Sequence, residues 1–486
     1  MKLQGLLKNV SYEVLQGTDN INISNIQYDS RKVTEGSLFV CIVGFNVDGH
    51  HYASSAVVNG AKALLVEENI EGINEHITIV KVSNTRKVIA ALADRYYNHP
   101  SDKFRLIGVT GTNGKTSTTF LTKSILEAYG KKTGIIGTIE NRIGDEILKA
   151  HRTTPESLDL QELFYNMVER NVNDVVMEVS SHSLDLHRVD ACRFDVGVYT
   201  NLTLDHLDFH KTMENYRDAK LKLFNMCDTG VINLDDNYAS YMIDNSSCKK
   251  YLTYGIDNDE ADLNAVQLKM DLGGASFKVT YQGTTYAIKL ATPGKFSVYN
   301  ALAAMGGCLA LAIPMETIKE GLEKNKGIRG RFQSFASKKG YNVIVDYAHA
   351  PDGLLNVLKS MKEFVKGRII TVFGCGGDRD RSKRPVMGEI AGRHSDYCVI
   401  TSDNPRTEDP LSIVQEVEAG VKGTNCAYET VVDRLKGIHT ALAMAKEGDL
   451  ILIAGKGHED YQVLRDEIIH FDDAEVVLGY FETERI

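Results

Sequence analysis

The chain has 486 residues, too many for one ordinary hydrophobic core, and length alone predicts about three domains. Its 43% apolar and 25% charged residues are a globular mix, and a net charge of −10 argues against a general nucleic-acid surface. No apolar run approaches a membrane span, the opening MKLQGLLKNVSYE lacks the apolar block of a signal peptide, and the eight cysteines contain no C-x-x-C pair. A cytoplasmic monomer with reduced thiols, working away from membranes and nucleic acids, is the expectation.

Residues 1–100 hold the short apolar runs SLFVCIVG and AKALLVEE and a helical stretch near Thr85 to Tyr97. An apolar run from Arg105 to Val109 then leads into VTGTNGKTSTTF, followed by helical period from Thr118 to Tyr129. Strand, glycine-rich turn and helix in that order make a phosphate cradle. Glycines let the backbone turn tightly, so that N–H groups converge on an anion at the helix N-terminus. Gly111, Thr112, Asn113 and Gly114, with Lys115, Thr116 and Ser117 behind them, are the candidate nucleotide ligands. Lys115 would reach the outer phosphates and the Thr116 hydroxyl a magnesium ion. The loop is a variant of the Walker type, because Gly108 stands too far from Gly114-Lys115 and Gly111 too near.

Further along, TGIIGT, DVVMEV, DVGVYTN and GVINLDD alternate with helical segments, which predicts a parallel sheet flanked by helices. Glu178 ends one of these strands, as a metal-binding carboxylate facing the loop or as a capping residue. TNLTLDHLDFH ends another and carries Asp205, His206, Asp208 and His210. The spacing of the two histidines resembles a zinc helix, but H-E-x-x-H lacks its Glu here, and oxygen ligands with phosphates suit magnesium better. YQGTTYAIKL, between Leu263 and Leu290, alternates as antiparallel hairpins do. Helices follow from Ser297 to Ala312 and from Glu316 to Lys324, and GIRGRFQ reads as a hinge. Beyond it YNVIVDY, GRIITVFG, DYCVITSD and DLILIAG alternate with helices again, a second doubly wound sheet whose ligand belongs at the strands' carboxyl ends. The fold class is therefore α/β in three domains: residues 1–100, a central P-loop-type parallel sheet over 101–330, and a Rossmann-like doubly wound domain over 331–486.

GVTGTNGKT, MEVSSH, TNLTLDHLDFH, YRDAK, PGKFSVYNALAA, GRF, DYAHAPD, FGCGGDRDRSKRP, DNPR and GKGHEDYQ occur in the order seen in Mur ligases, which the chain resembles. The resemblance implies that ATP activates a carboxylate as an acyl phosphate, which an amine converts to an amide. The substrate implied is the cell-wall precursor UDP-N-acetylmuramoyl-L-alanyl-D-glutamate. Lys115, Glu178, His206 and Lys220 are then the catalytic set, with Thr116, Glu178, His206 and Lys220 as magnesium ligands. Lys220 alone reads as a solvated surface lysine; by resemblance it is carbamylated. Asn300, Arg331 and Asp346 would hold the nucleotide. Ser30, Asn46, Thr153, Thr154, Ser180 and Arg188 would hold the UDP-sugar peptide, although Arg152 and Leu186 depart from the family pattern there. The resemblance extends to DNPR, which marks members that add meso-diaminopimelate. Arg379, Asp403, Asn404, Pro405, Arg406, Gly455 and Glu459 are the implied amino-acid ligands, with two arginines for the extra carboxylate and an acid for the distal ammonium.

Several rivals share parts of this pattern. The same ligase adding L-lysine would lack the arginine of DNPR. A P-loop switch ATPase needs no third domain with DNPR and GKGHED. A dinucleotide-binding oxidoreductase needs G-x-G-x-x-G, which FGCGGDR does not supply. A folylpolyglutamate-synthetase-like ligase fits neither YDSR nor DNPR.

Overall fold

In a computed structural model, residues 1–44 and 47–483 are described. The architecture is α/β, with three sheet-centred domains. Internal contacts divide the chain into two compact units, Met1–Thr253 with Ala303–Pro314, and Tyr254–Leu302 with Met315–Ile486.

The first unit contains two sheets. The N-terminal one runs Glu13–Gln16, Thr78–Lys81, Ala61–Val66, Ser37–Val40, Ile26–Gln27, and only the first of these strands is antiparallel to its neighbour. Helix Thr85–Tyr96 covers it. The Asn84 side chain caps that helix by accepting from Lys87 N, and Leu92 and Ala93 enter the core. In the second sheet the order is Cys227–Asn233, Phe194–Tyr199, Arg105–Thr110, Asp174–Glu178, Thr133–Ile136, parallel throughout. A short antiparallel hairpin, Glu140–Ile143 and Glu146–Lys149, extends its edge. Arg105–Thr110 lies in the middle, so the loop that follows it is anchored by strands on both sides. Gly108 belongs to this strand. A Cβ there would lie 2.7 Å from the Phe194 ring, so its glycine serves packing and Gly111 opens the loop.

The second unit begins with the antiparallel meander Leu263–Asp271, Gly274–Tyr281, Thr284–Leu290, as the alternation predicts. Its main sheet runs Gln333–Ala336, Asn342–Asp346, Leu450–Ala454, Ile369–Phe373, Tyr397–Ile400, Ala427–Thr430. All but the first strand are parallel. Helices Pro351–Lys362, Lys383–His394 and Pro410–Lys422 pack one face, and Arg434–Met444 and Asp473–Thr483 the other. Both faces being covered, Ile369–Phe373 and Leu450–Ala454 are wholly buried, which explains their unbroken apolar runs. Each such Ile, Leu or Val contributes about 1.5–3 kcal/mol by leaving water. The segment read as a hinge is packed within this unit: Phe332 is in the core, and a Cβ on Gly330 would meet His458 N at 2.0 Å.

Candidate functional site

Helix Lys115–Ala128 starts at the lysine itself, three residues before the helical period becomes visible in sequence, because left-handed Gly114 ends the loop directly ahead of it. Gly111, at φ 151°, passes so close to strand Phe194–Tyr199 and its exit that a Cβ would lie 1.8 Å from Thr200 Oγ1. Asn201 shapes the turn from the side. Its carbonyl accepts from Thr112 N and its Oδ1 from Asn113 N, both at 2.9 Å. The loop's own carbonyls receive two lysine amines. Lys115 Nζ donates to Gly111 O and Thr112 O at 2.9 Å, and Lys220 Nζ donates to the same Gly111 oxygen at 2.8 Å. The helix N-terminus, with the N–H groups of Lys115, Thr116 and Ser117 in its first turn, offers an anion site above this.

Glu178 ends the strand beside the loop strand, and its carboxylate gathers hydroxyls. Thr116 Oγ1 donates to Oε2 at 3.0 Å, Thr138 Oγ1 to the same oxygen at 3.0 Å, and Thr138 N to Oε1 at 2.9 Å. The bland alternative of a helix cap is excluded: Ser180, not Glu178, caps the following helix Ser181–Asp185. Thr153 Oγ1 lies 3.0 Å from Thr138 Oγ1, while Thr154 Oγ1 donates to the Glu178 carbonyl at 2.8 Å and accepts from Ser180 N at 3.1 Å. Arg188 Nη1 donates to the Thr154 carbonyl at 3.2 Å and Nη2 pairs with Glu156 at 2.9 Å. Glu156 also faces Arg86 and the departing Arg152, at 3.3 and 3.5 Å. One carboxylate thus serves three guanidinium groups. Ser30 sits in a short turn of the N-terminal domain, where its carbonyl accepts from Asn59 Nδ2 at 2.9 Å, and Asn46 lies outside the described residues.

Lys220 is buried, not a surface lysine, with 1% of its area exposed. It comes from helix Met213–Phe224, Nζ 4.4 Å above the Tyr216 ring. Burial lowers its pKa well below the ordinary lysine value, the Lys115 charge adds to this, and Asp205 opposes it. The His206 side chain is 44% exposed, yet partial desolvation by its neighbours, followed by the charges of His182, Lys115 and Lys220, lowers its pKa against the pull of Asp205. Its ring is therefore neutral at pH 7 and able to act as a ligand. His210 is pulled to about 4 by burial, but its Nε2 is bonded to Ser181 Oγ at 2.9 Å and its ring stacks on Tyr216. The hydroxyl and carboxylate oxygens of Thr116 and Glu178, with a neutral imidazole in the same loop cluster, are a donor set that fits magnesium. Among the described residues Asp48, His50 and Glu68 also gather. There His50 Nδ1 bonds Asp48 at 2.6 Å and Nε2 accepts from Glu67 N at 2.9 Å, a structural bridge.

The second unit holds the other expected residues. Asp346 Oδ2 accepts from Phe332 N at 2.7 Å and Oδ1 from Ala348 N at 2.8 Å; burial raises its pKa and Arg331 opposes the rise. The Arg331 guanidinium lies 4.8 Å above the Tyr347 ring, and Asn300 is buried in helix Lys295–Ala310. The loops after Phe373 and Ile400 are stapled together. Gly377 N donates to Asn404 O at 2.9 Å, Arg406 Nη1 to Gly377 O at 2.8 Å, and a Cβ on Gly377 would strike Pro405 O at 1.9 Å. Arg379 is exposed, and its Cγ and Arg406 Nη1 both border Gly376. Asp403 is buried with Oδ2 unpaired, 2.6 Å from where a Gly455 Cβ would stand. Fully buried Arg434 braces the roots of these loops: it pairs doubly with Asp473 and donates to the carbonyls of Ser402 and Ala454.

Sequence reasoning missed Thr138, Asn201, Tyr216, Glu156 and Arg86. Thr138 closes the strand run TGIIGT, and the carboxyl-end rule applied to that strand would have found it. Arg384 was missed as well. It is wholly buried and joins Glu408, Glu416 and the Gly376 carbonyl.

The chain matches the family descriptions "Mur ligase family, catalytic domain" over residues 22–97, "Mur ligase middle domain" over 109–308 and "Mur ligase, glutamate ligase domain" over 330–457. It is 49% identical to the UDP-N-acetylmuramoyl-L-alanyl-D-glutamate--2,6-diaminopimelate ligase of Caldanaerobacter subterraneus subsp. tengcongensis, over 98% of each chain. Its likeness to the Clostridium botulinum protein of the same name is also 49%, over 98% of this chain and 99% of the other. A solved structure of a ligase of that name superposes with a TM-score of 0.73 at 31% identity, covering 100% of this chain and 99% of that one. The MurF ligase of Thermotoga maritima in complex with ADP shares the fold at TM-score 0.64 and 19% identity, over 95% of this chain and 97% of that one.

Proposed function

The chain belongs to the Mur ligase family, and from that premise we propose that it joins meso-2,6-diaminopimelate to UDP-N-acetylmuramoyl-L-alanyl-D-glutamate at the expense of ATP. The side-chain carboxylate of the D-glutamate residue attacks the γ-phosphorus of ATP, and ADP leaves. The neutral amine then attacks the acyl carbon, and the tetrahedral species loses the amine's extra proton and expels phosphate to leave the amide. The first step brings two anions together, so it needs cations that are not already spent on carboxylates.

One observation carries this reading: the Lys220 amine meets the Gly111 carbonyl at 2.8 Å, in a buried place that disfavours the ammonium. A neutral amine can add to carbon dioxide, forming an N–C bond and releasing one proton, and so become a carbamate. Thr116, Glu178, His206 and the Lys220 carbamate would hold magnesium, which supplies charge neutralisation between phosphate and carboxylate. Lys115 releases its carbonyl contacts to reach the outer phosphates. Asn300, Arg331 and Asp346 are proposed to hold the adenosine part, and exclusion of water would protect the acyl phosphate.

The division of labour is also a proposal. Residues 1–100, with Ser30 and Asn46, take the uridine end; Thr153, Thr154, Ser180 and Arg188 take the sugar and peptide. Residues 331–486 take the amino acid through Arg379, Asp403, Asn404, Pro405, Arg406, Gly455 and Glu459. A cytoplasmic location is supported by the substrates, and no helix among the described residues is long and apolar enough to cross a membrane. The test is ADP release on the UDP-muramoyl dipeptide with diaminopimelate or L-lysine as acceptor. Release that needs both the dipeptide and diaminopimelate is expected. Efficient use of lysine, or release without any amine, would overturn it.

A further inference from the structure

GKGHED places a lysine between two residues assigned above to the amino acid, and that lysine is fully buried, with 0% of its area exposed. Burying a lysine is costly unless its ammonium is matched on every side. Lys456 Nζ donates to Glu459 Oε2 at 3.0 Å and to Asn404 Oδ1 at 3.2 Å, and lies 5.3 Å from the Tyr461 ring centre. The three partners are interlocked. Asn404 Nδ2 donates to the same Glu459 oxygen at 2.8 Å, and Asn404 Oδ1 accepts from Val463 N at 2.9 Å. With two donors on its oxygen and a carboxylate on its nitrogen, the Asn404 amide has one orientation only.

Glu459 is thereby turned. Its Oε2 is committed to Lys456 and Asn404, while among the described residues Oε1 has no hydrogen-bond partner. Next to Asn404 in sequence, Asp403 presents a second unpartnered carboxylate oxygen, Oδ2, toward Gly455, and its Oδ1 accepts from Asn404 N at 2.6 Å. Asn404 thus links both acids, and Lys456 fixes Asn404.

Resting on the proposed function, we infer that Lys456 is a positioning residue for the acceptor amino acid. It touches no reacting atom. It holds Glu459 and Asn404 so that Glu459 Oε1 and Asp403 Oδ2 stay free to accept from the ammonium on the acceptor's distal carbon. Without it, the Glu459 carboxylate loses its cation and turns toward solvent, and the Asn404 amide oxygen keeps only the Val463 N–H.

The experiment is steady-state ADP release by the full-length enzyme, varying diaminopimelate, ATP and dipeptide in turn. Lys456→Met is expected to raise KM for diaminopimelate roughly tenfold or more, as loss of a hydrogen bond to a charged group implies. KM for ATP and dipeptide should stay within about twofold, a split that general misfolding would not give. Lys456→Arg, keeping the charge, should recover part of the loss. If the Met variant does not fold, Lys456→Gln, which keeps a donor without the charge, reads the same ratio. The pair with Glu459→Gln gives the second arm: the double variant should be no worse than Glu459→Gln alone, because Lys456 acts through Glu459. Unchanged diaminopimelate KM in the Met and Gln variants, or losses that multiply in the double variant, would overturn the inference alone. A wild type that does not use diaminopimelate at all would overturn the proposed function as well.

Discussion

The phosphate loop and the DNPR region hold their basic side chains in different ways. Around the loop, Lys115 and Lys220 rest on backbone carbonyls. A carbonyl is a neutral acceptor, so these contacts orient the two amines without pairing them to a carboxylate. In the DNPR region Arg406 also donates to a carbonyl, that of Gly377, but the buried cations beneath it are locked to carboxylates. Arg384 is fixed by Glu408 and Glu416, Lys456 by Glu459 and Asn404, and Arg434 by Asp473. Those charges build shape and leave only selected groups for a ligand. The first arrangement suits a co-substrate recognised by charge, the second an amino acid recognised by where its charges lie.

The largest expected effect tests the first half of this contrast. Lys115→Ala should lower turnover by roughly 10²–10³-fold, the loss typical of removing one charge-stabilising donor. Near-normal turnover in a folded variant would break the assignment of the loop. Lys220→Ala is expected to lose roughly 10²-fold, again as a missing electrostatic contribution. Short carboxylic acids should restore part of the rate by standing in for the carbamate, and mass analysis of the wild type should find the added carbon dioxide. Full activity in Lys220→Ala would mean that its burial is structural only.

A smaller effect sharpens the second half. Arg406→Ala should weaken diaminopimelate at least about 30-fold, since truncating one partner of a desolvated charge pair costs roughly 2–5 kcal/mol. ATP binding by the same variant should persist, measurable by nucleotide titration. The smallest effect concerns Glu408, whose pKa Arg384 holds down at about 2. A depressed carboxylate contributes its stability above its unfolded value, near 4.5, and loses it as pH falls through the folded one. Thermal melts should therefore show wild type above Glu408→Gln at pH 7, a constant gap down to about pH 4.5, and a gap that closes toward pH 2. A gap independent of pH would show that the locked charges do not stabilise this region.

The parallel sheets were legible because their strands alternate with helices of clear period, and GKGHED and DNPR stand at strand ends where ligand belongs. The loop was legible because Gly111, Gly114, Lys115 and Thr116 are neighbours in sequence. Edge pieces were not: Glu140–Ile143, Glu146–Lys149 and Gln333–Ala336 are four residues each, too short for a period to show. Lys220 misled in isolation, since a lysine amid NYRDAKLKLF carries no sign of burial. Thr138 with Glu178, and Arg384 with Glu408 and Glu416, are pairs far apart along the chain that meet only through the sheet. Only the fold reveals such partnerships.

Gly111 leaves selection almost no room. Any side chain would collide with Thr200 Oγ1 at 1.8 Å, and its φ of 151° is hostile to other residues. These constraints are independent, so no single compensating change elsewhere can relieve them together. Evolutionary drift is barred there and must run elsewhere. Gly130, with open space where its Cβ would be, is restrained only by its φ of 75°. In a library of random variants, position 111 should remain glycine long after most of the helix behind it has diversified.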